Sequence, residues 1–227
     1  MKKIIAFIFS LFIIISLSSC GGSSSSNKEE TSDEKIILNL VNEYDSTNTK
    51  GFDYELSQYL NNSIVNSHKI TLRIDNDSET IGLRVEYQKN LNDDITKEQF
   101  TETTVTTYYK NNKVAVYENN SWNWKNCSFD EFSKSNIKDF NFDISKLSNV
   151  NLDSSGKYNI LTFGIDDSNT KSFLGVSSSV KDLKFEIKTD SDKKQLISLD
   201  MNYSQDLTTT KISFIPYYGS VNVSLPQ

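Results

Sequence analysis

The feature that most constrains the fold is a two-residue period that returns along most of the chain. In "DLKFEIK", residues 182–188, Leu183, Phe185 and Ile187 fall on one side and Lys184, Glu186 and Lys188 on the other. Successive residues of a strand point to opposite faces. The segment is therefore a strand of an antiparallel sheet with one dry and one wet face. Similar runs are "HKITLRI" at 68–74, "IGLRVEY" at 81–87 and "QFTETTVTTYYK" at 99–110. "KYNILTFGI", "KQLISLDMNYS", "TTKISFIP" and "GSVNVSLP" follow at 157–165, 194–204, 209–216 and 219–226. Asn111-Asn112 and Asn119-Asn120 separate β-rich runs, and asparagine tolerates the positive φ of a tight hairpin turn. "DNDSET", "DSDK" and "QDLT" supply further polar turns.

Helical spacing interrupts this pattern in four places. Ile37, Leu40, Val41 and Tyr44 predict a helix over about 34–44, with Thr31 and Glu34 as a capping box. Phe52, Leu56, Tyr59 and Leu60 predict a second, weaker one. Ser128 and Glu131 cap a short helix before Phe132. "DDSNTKSFLG" reads as a short helix stopped by Gly175. The expected class is α+β, mainly β: one antiparallel sheet with a few short helices laid across its apolar face.

The chain opens Met1-Lys2-Lys3, followed by the apolar run "IIAFIFSLFIIISL" at 4–17. That run is shorter than the roughly 20 residues of a membrane span. A basic start, a short apolar core and small residues at the end describe a secretory signal peptide. It ends Leu17-Ser18-Ser19-Cys20, similar to a bacterial lipobox, in which the cysteine thiol takes a diacylglyceryl group and cleavage falls just before it. Residues 1–19 are then the signal peptide. Two or three acyl chains on Cys20 exceed what stable anchoring requires. The alternative is an ordinary secreted protein with a chance cysteine. Residues 20–33, rich in Gly, Ser and charge, read as a flexible tether with an r.m.s. reach of roughly 20 Å. Residues 34–227 form a single domain.

Loss of Lys2 and Lys3 leaves the mature chain two charges more negative than the −6 of the full sequence. Bulk charge therefore disfavours nucleic acid and anionic membranes. Arg73 and Arg84 are the only arginines, too few for a phosphate-binding cluster. With Cys20 lipidated, Cys127 stands alone, so no intrachain disulfide forms. A buried inert thiol explains it better than a nucleophile.

The order of elements resembles the LolA/LolB-like and LppX/LprG-like bacterial lipoproteins. The residues that carry the likeness are "KNNKVAVYENNSWNWK" at 110–125 and "TTKISFIPYYGSVNVSLP" at 209–226, with Tyr218-Gly219, Val221 and Pro226. The resemblance implies a curved half-barrel whose open side is crossed by short helices. Between them an apolar cavity would hold acyl chains, and the protein would bind or transfer a lipid or a lipidated protein in the cell envelope. Such a protein would sit on the extracytoplasmic side of the cell membrane or outer membrane, anchored through Cys20. The rival reading is a non-enzymatic interaction or scaffold module with a filled core. Trp122, Trp124, Phe163, Phe185 and Phe214 are the expected cavity residues. Trp122 and Trp124 share one strand face, where hairpin packing explains them equally well and sugar stacking less well.

No catalytic constellation, cofactor or metal site is expected. His68 is the only histidine, placed at the start of a predicted strand, and no G-x-S-x-G elbow accompanies it. Residues 75–86 imitate part of a calcium loop, but Thr80 stands where an EF-hand needs glycine, so a solvated hairpin turn is the plainer reading. Asp93-Asp94 and Asp166-Asp167 read as turn and cap residues.

Overall fold

The computed structural model describes residues 32–44, 49–76, 80–91, 100–134, 140–174 and 180–226. The signal segment, Cys20, Asp93-Asp94, Gly175 and part of the 75–86 stretch lie outside these. Eleven strands form one open antiparallel sheet: β1 (Gly51–Leu60), β2 (Ser63–Asp75), β3 (Ile81–Leu91), β4 (Phe100–Lys110), β5 (Lys113–Glu118), β6 (Ser121–Asn126), β7 (Leu147–Asp153), β8 (Tyr158–Ile165), β9 (Val180–Asp190), β10 (Leu196–Gln205) and β11 (Thr208–Pro216). Their order is β6-β5-β4-β3-β2-β1-β11-β10-β9-β8-β7. Two meanders thus meet where the first strand pairs with the last, Tyr54 opposite Phe214. The sheet does not close, as a half-barrel requires. Among the described residues three α-helices accompany it: α1 (Asp33–Asn42), α2 (Phe129–Phe132) and α3 (Asp167–Leu174), with a 3-10 turn at Ile144–Lys146.

The asparagine turns behave as the sequence predicts. Asn111, Asn112, Asn119 and Asn120 all have φ between 52° and 62°. A third pair, Asn61-Asn62, does the same at φ 50° and 67°. That pair overturns the helix expected around Phe52–Leu60. The segment is β1, because Phe52, Tyr54 and Leu56 alternate inward and the Asn61-Asn62 hairpin passes the chain straight into β2. Spacings of four fit both periods, and the turn decides. The N-cap of α1 is Ser32, whose Oγ accepts from the Lys35 amide at 3.4 Å, rather than Thr31. Ser128 caps α2 as expected, its Oγ accepting from the Glu131 amide at 3.2 Å. The expected last strand at 219–226 does not form. The pairing continues one residue past Pro216, where Tyr217 N donates to Gly51 O and Lys50 N donates to Tyr217 O, and the chain then leaves the sheet.

Cross-strand partners share a face, so the register defines two faces over the whole sheet. One face carries Phe52, Tyr54, Leu56, Leu72, Phe214, Leu199, Ile187, Phe185, Leu161 and Phe163, all buried. The three helices lie on this covered face. Helix α1 buries Ile37, Leu38 and Val41 there, each worth about 1.5–3 kcal/mol of burial. Beside α3, Phe140, Phe142 and Phe173 close over Phe163 and Phe185, with ring centroids 4.9 to 6.0 Å apart. Edge-to-face and stacked pairs at these distances pack to interior density. At α2, Phe132 stacks on Tyr109 at 5.1 Å and occupies the space above Gly82, where any side chain would meet its ring.

Candidate functional site

The opposite face, called open here, bears no helix among the described residues. It divides into a charged part and an apolar part. Across β1 and β8–β11 two rows of side chains run side by side. One is Glu55, Ser213, Asp200, Glu186 and Thr162; the other is Ser57, Lys211, Asn202, Lys184 and Gly164. Together with Tyr59 and Ser148 they line a groove of about 1070 Å³. An acidic row beside a basic one suits a polar or zwitterionic group. Asp200 stands directly opposite Glu186, so like charges meet across β9 and β10 and the lysines lie only diagonal to them.

Beyond β2 the open face turns apolar. Leu83, Val85 and Tyr87 of β3 lie on it, because Leu72 pairs with Arg84 and so β3 presents its polar residues to the covered side. Tyr108 faces Leu83, Ala115 faces Tyr108, and Trp124 faces Ala115, forming one continuous row. In the next row Tyr117 faces Trp122. The Trp122 ring meets Tyr108 at 5.2 Å and Tyr117 at 5.3 Å. Ala115 is fully buried in this lane, whereas Trp124 is 42 % and Tyr117 56 % exposed.

The five expected cavity residues are therefore not brought together. Phe163, Phe185 and Phe214 sit in the covered core, while Trp122 and Trp124 stand on the open face at the β6 edge. Alternation identifies two faces in each strand, but register decides which of them neighbouring strands share. The groove residues were missed at the sequence level. Their only signal is the wet side of the alternation, which any solvated sheet also shows.

Corresponding residues of β2 and β3 on the covered side form an ionic cluster. Glu86 Oε1 accepts from Arg84 Nε at 2.6 Å, and Arg84 Nη1 donates to the Phe132 carbonyl at 3.1 Å. His68 Nε2 lies 3.7 Å from Glu86 Oε2, beyond hydrogen-bond reach, with the ring edge-on to Tyr54. His68 is thus a half-buried residue within β2 rather than at a strand start, since the Asn61-Asn62 turn begins that strand at Ser63. The neighbouring His68 imidazole and the Arg84 guanidinium hold Glu86 down at about 2, against the opposing effect of burial. Because the folded value is depressed, this contribution is present above about pH 4.5 and is lost as the pH falls towards 2. With one carboxylate edge wet, roughly 1–2 kcal/mol is expected. The stability difference between wild type and Glu86→Gln, measured in urea, should shrink between those pH values. A difference that stays constant across that range would refute the pairing.

Cys127 is half-buried, its Sγ donating to Ser128 O at 3.4 Å, and burial pushes the thiol up. Tyr218, outside the sheet, donates to Leu196 O at 3.0 Å, and burial pushes its phenol up to about 12. Asp166 accepts from the Asn169 amide through its carbonyl at the start of α3. Among the described residues no group of three or more His, Cys, Asp or Glu is placed to hold a metal ion, and no helix is long and apolar enough to cross a membrane.

No family model matches the chain, and no curated protein matches it. Solved structures are similar to it, two of them as follows. The lipoprotein LppX of Mycobacterium tuberculosis is 13% identical, over 85% of this chain and 100% of that one, with a TM-score of 0.41. LprF of Mycobacterium bovis is 13% identical, over 83% and 96%, with a TM-score of 0.37.

Proposed function

We propose that this chain is a lipid-anchored, non-enzymatic protein of the cell envelope that binds a lipid or similar amphiphile on the open face of its sheet. The observation that carries the reading is the division of that face. A charged groove of about 1070 Å³ and an uncovered aromatic lane lie on one surface, separated by the single strand β2. Exposed contiguous apolar surface marks interaction sites, and an amphiphile has one end for each part. Its polar group would lie between the Glu186 and Lys184 rows, and its acyl part along Leu83, Tyr108 and Trp124. Trp122 and Trp124 keep the ligand role expected of them, whereas Phe163, Phe185 and Phe214 act as core. Leu17-Ser18-Ser19-Cys20 supports the anchor.

A second reading is favoured by the phenylalanine packing around Phe185: an interaction module with a filled core and no ligand. Gentle extraction of the protein from its own cells followed by native mass spectrometry separates the two. The expected result is a bound lipid mass, together with saturable uptake of a fluorescent acyl probe that Lys184→Glu combined with Lys211→Glu lowers about tenfold. Two good charge contacts are of that order. No bound lipid and no saturable uptake would leave the interaction module. Metabolic labelling with a palmitate analogue tests the anchor separately, and Cys20→Ala should abolish it.

A further inference from the structure

We propose that the aromatic rim of the edge hairpin β5–β6 docks on the surface of the bilayer to which the chain is tethered. This rests on the anchored reading above. Tyr117 and Trp124 are exposed on an edge hairpin, next to Trp122 and Tyr108 on the same face. Water is a poor solvent for such a cluster, and a headgroup layer is a good one. Tyr and Trp rings bury an apolar body while their O–H and N–H stay among polar groups. Lys110 and Lys113 face each other at the turn end of the same lane, between Ile81 and Asn126. They bring local positive charge to the rim of a chain whose net charge is −6. Lipid phosphates complement that charge, at about 1 kcal/mol per lysine near an anionic surface.

The length of chain before the fold supplies the second argument. Helix α1 begins at Asp33, and a coil of the length that separates it from Cys20 would reach roughly 20 Å. On the anchored reading, a tether of that length would hold the domain at an effective concentration on the order of millimolar relative to the membrane. Weak contacts made by two or three exposed rings then suffice to orient the domain. Orientation by this rim brings the open face, with its groove, beside the bilayer from which an amphiphile would enter.

Trp122 and Trp124 are the only tryptophans of the chain, so its tryptophan emission reports this rim and the lane it adjoins; lipid held only in the lane would quench it without the loss expected from Tyr117→Ser with Lys113→Glu. The mature lipidated protein would be reconstituted into vesicles of phosphatidylcholine and phosphatidylglycerol, with and without bromine on the acyl chains. Docking predicts blue-shifted emission that brominated lipid quenches. Tyr117→Ser combined with Lys113→Glu keeps both tryptophans and the anchor, and should lower the docked-to-free ratio about tenfold. Lys113→Glu alone should give a smaller, salt-dependent loss, which a merely misfolded hairpin would not show. Absence of quenching in vesicle-bound protein overturns the proposal, as does quenching unchanged in the double variant. So does a shift that follows protein density, indicating a second copy, or one produced by soluble saccharides without lipid. Failure of the protein to stay with the vesicles would instead sink the anchor. Docking is then decided by the same emission with the unanchored protein at high lipid concentration, where a flat response overturns it.

Discussion

Phe185→Ala is expected to lower stability by about 3–5 kcal/mol, the cost of deleting a fully buried ring from a core that cannot collapse around the hole. Phe185 is 1 % exposed. Its ring meets Phe142 at 4.9 Å, Phe163 at 5.1 Å, Phe173 at 5.7 Å and Phe140 at 5.9 Å. These partners come from β8, from α3 and from the segment before β7, so the substitution loosens the joint between sheet and helices. Urea unfolding should show a lower midpoint with an unchanged slope, and the melting temperature should fall by roughly 10 °C. Uptake of an acyl probe by the folded fraction should be unaffected. Trp124→Ala should do the reverse, costing little stability because the ring is 42 % exposed, and weakening lipid contact. If Phe185→Ala were stable but lost probe uptake, the ligand would lie between sheet and helices and the open-face site would be wrong.

Gly51→Ala is expected to destabilise by about 2–6 kcal/mol, from two causes acting together. Gly51 has φ 131°, a conformation in which a side chain is strained by roughly 1–3 kcal/mol. A Cβ there would also run into the Leu72 carbonyl oxygen, adding an overpacking cost of about 1–3 kcal/mol. The backbone cannot move aside. Tyr217 N donates to Gly51 O, Lys50 N donates to Tyr217 O and Ile74 N donates to Lys50 O, each at 2.8 Å. These bonds clamp the start of β1 between β2 and the residues that follow β11, where the two meanders join. Gly156→Ala is the matched control, since nothing lies within 4 Å of a Cβ at that turn. Its midpoint should move by no more than about 0.5 kcal/mol. Equal effects at the two glycines would show that the junction is not held as described.

Much of this architecture is legible in the residues. Asn-Asn pairs mark hairpins because asparagine accepts positive φ, and the alternation of Leu183, Phe185 and Ile187 with Lys184 and Glu186 marks a two-faced strand. Ser128 with Glu131 marks the start of α2 because a hydroxyl there can accept the orphan amide. The reading failed where two periods coincide. Phe52, Leu56 and Leu60 fit a helix and a strand equally, and only the hairpin that follows them selects the strand. It also failed at 219–226, where an alternating run pairs with no strand among the described residues.

The candidate site was legible only in fragments. Trp122 and Trp124 stand out by composition, and the lipobox is a local signal. Residues of the groove come from strands as far apart as β1 and β8, and nothing local ties Glu55 to Asp200 or Lys211 to Lys184. The sequence by itself determined most of the strands, though not β1 or β7, where most of them turn, and that each has a wet and a dry side. Those properties depend on backbone preferences and side-chain solvation over a few residues. Tertiary structure alone decided that β1 pairs with β11, and that Leu72 stands opposite Arg84. The first choice closes a loop of more than a hundred residues, and the second is a register that a one-residue slip would invert. Through them the apolar side passes from the covered face at β2 to the open face at β3, and the aromatic lane comes to lie uncovered beside the groove.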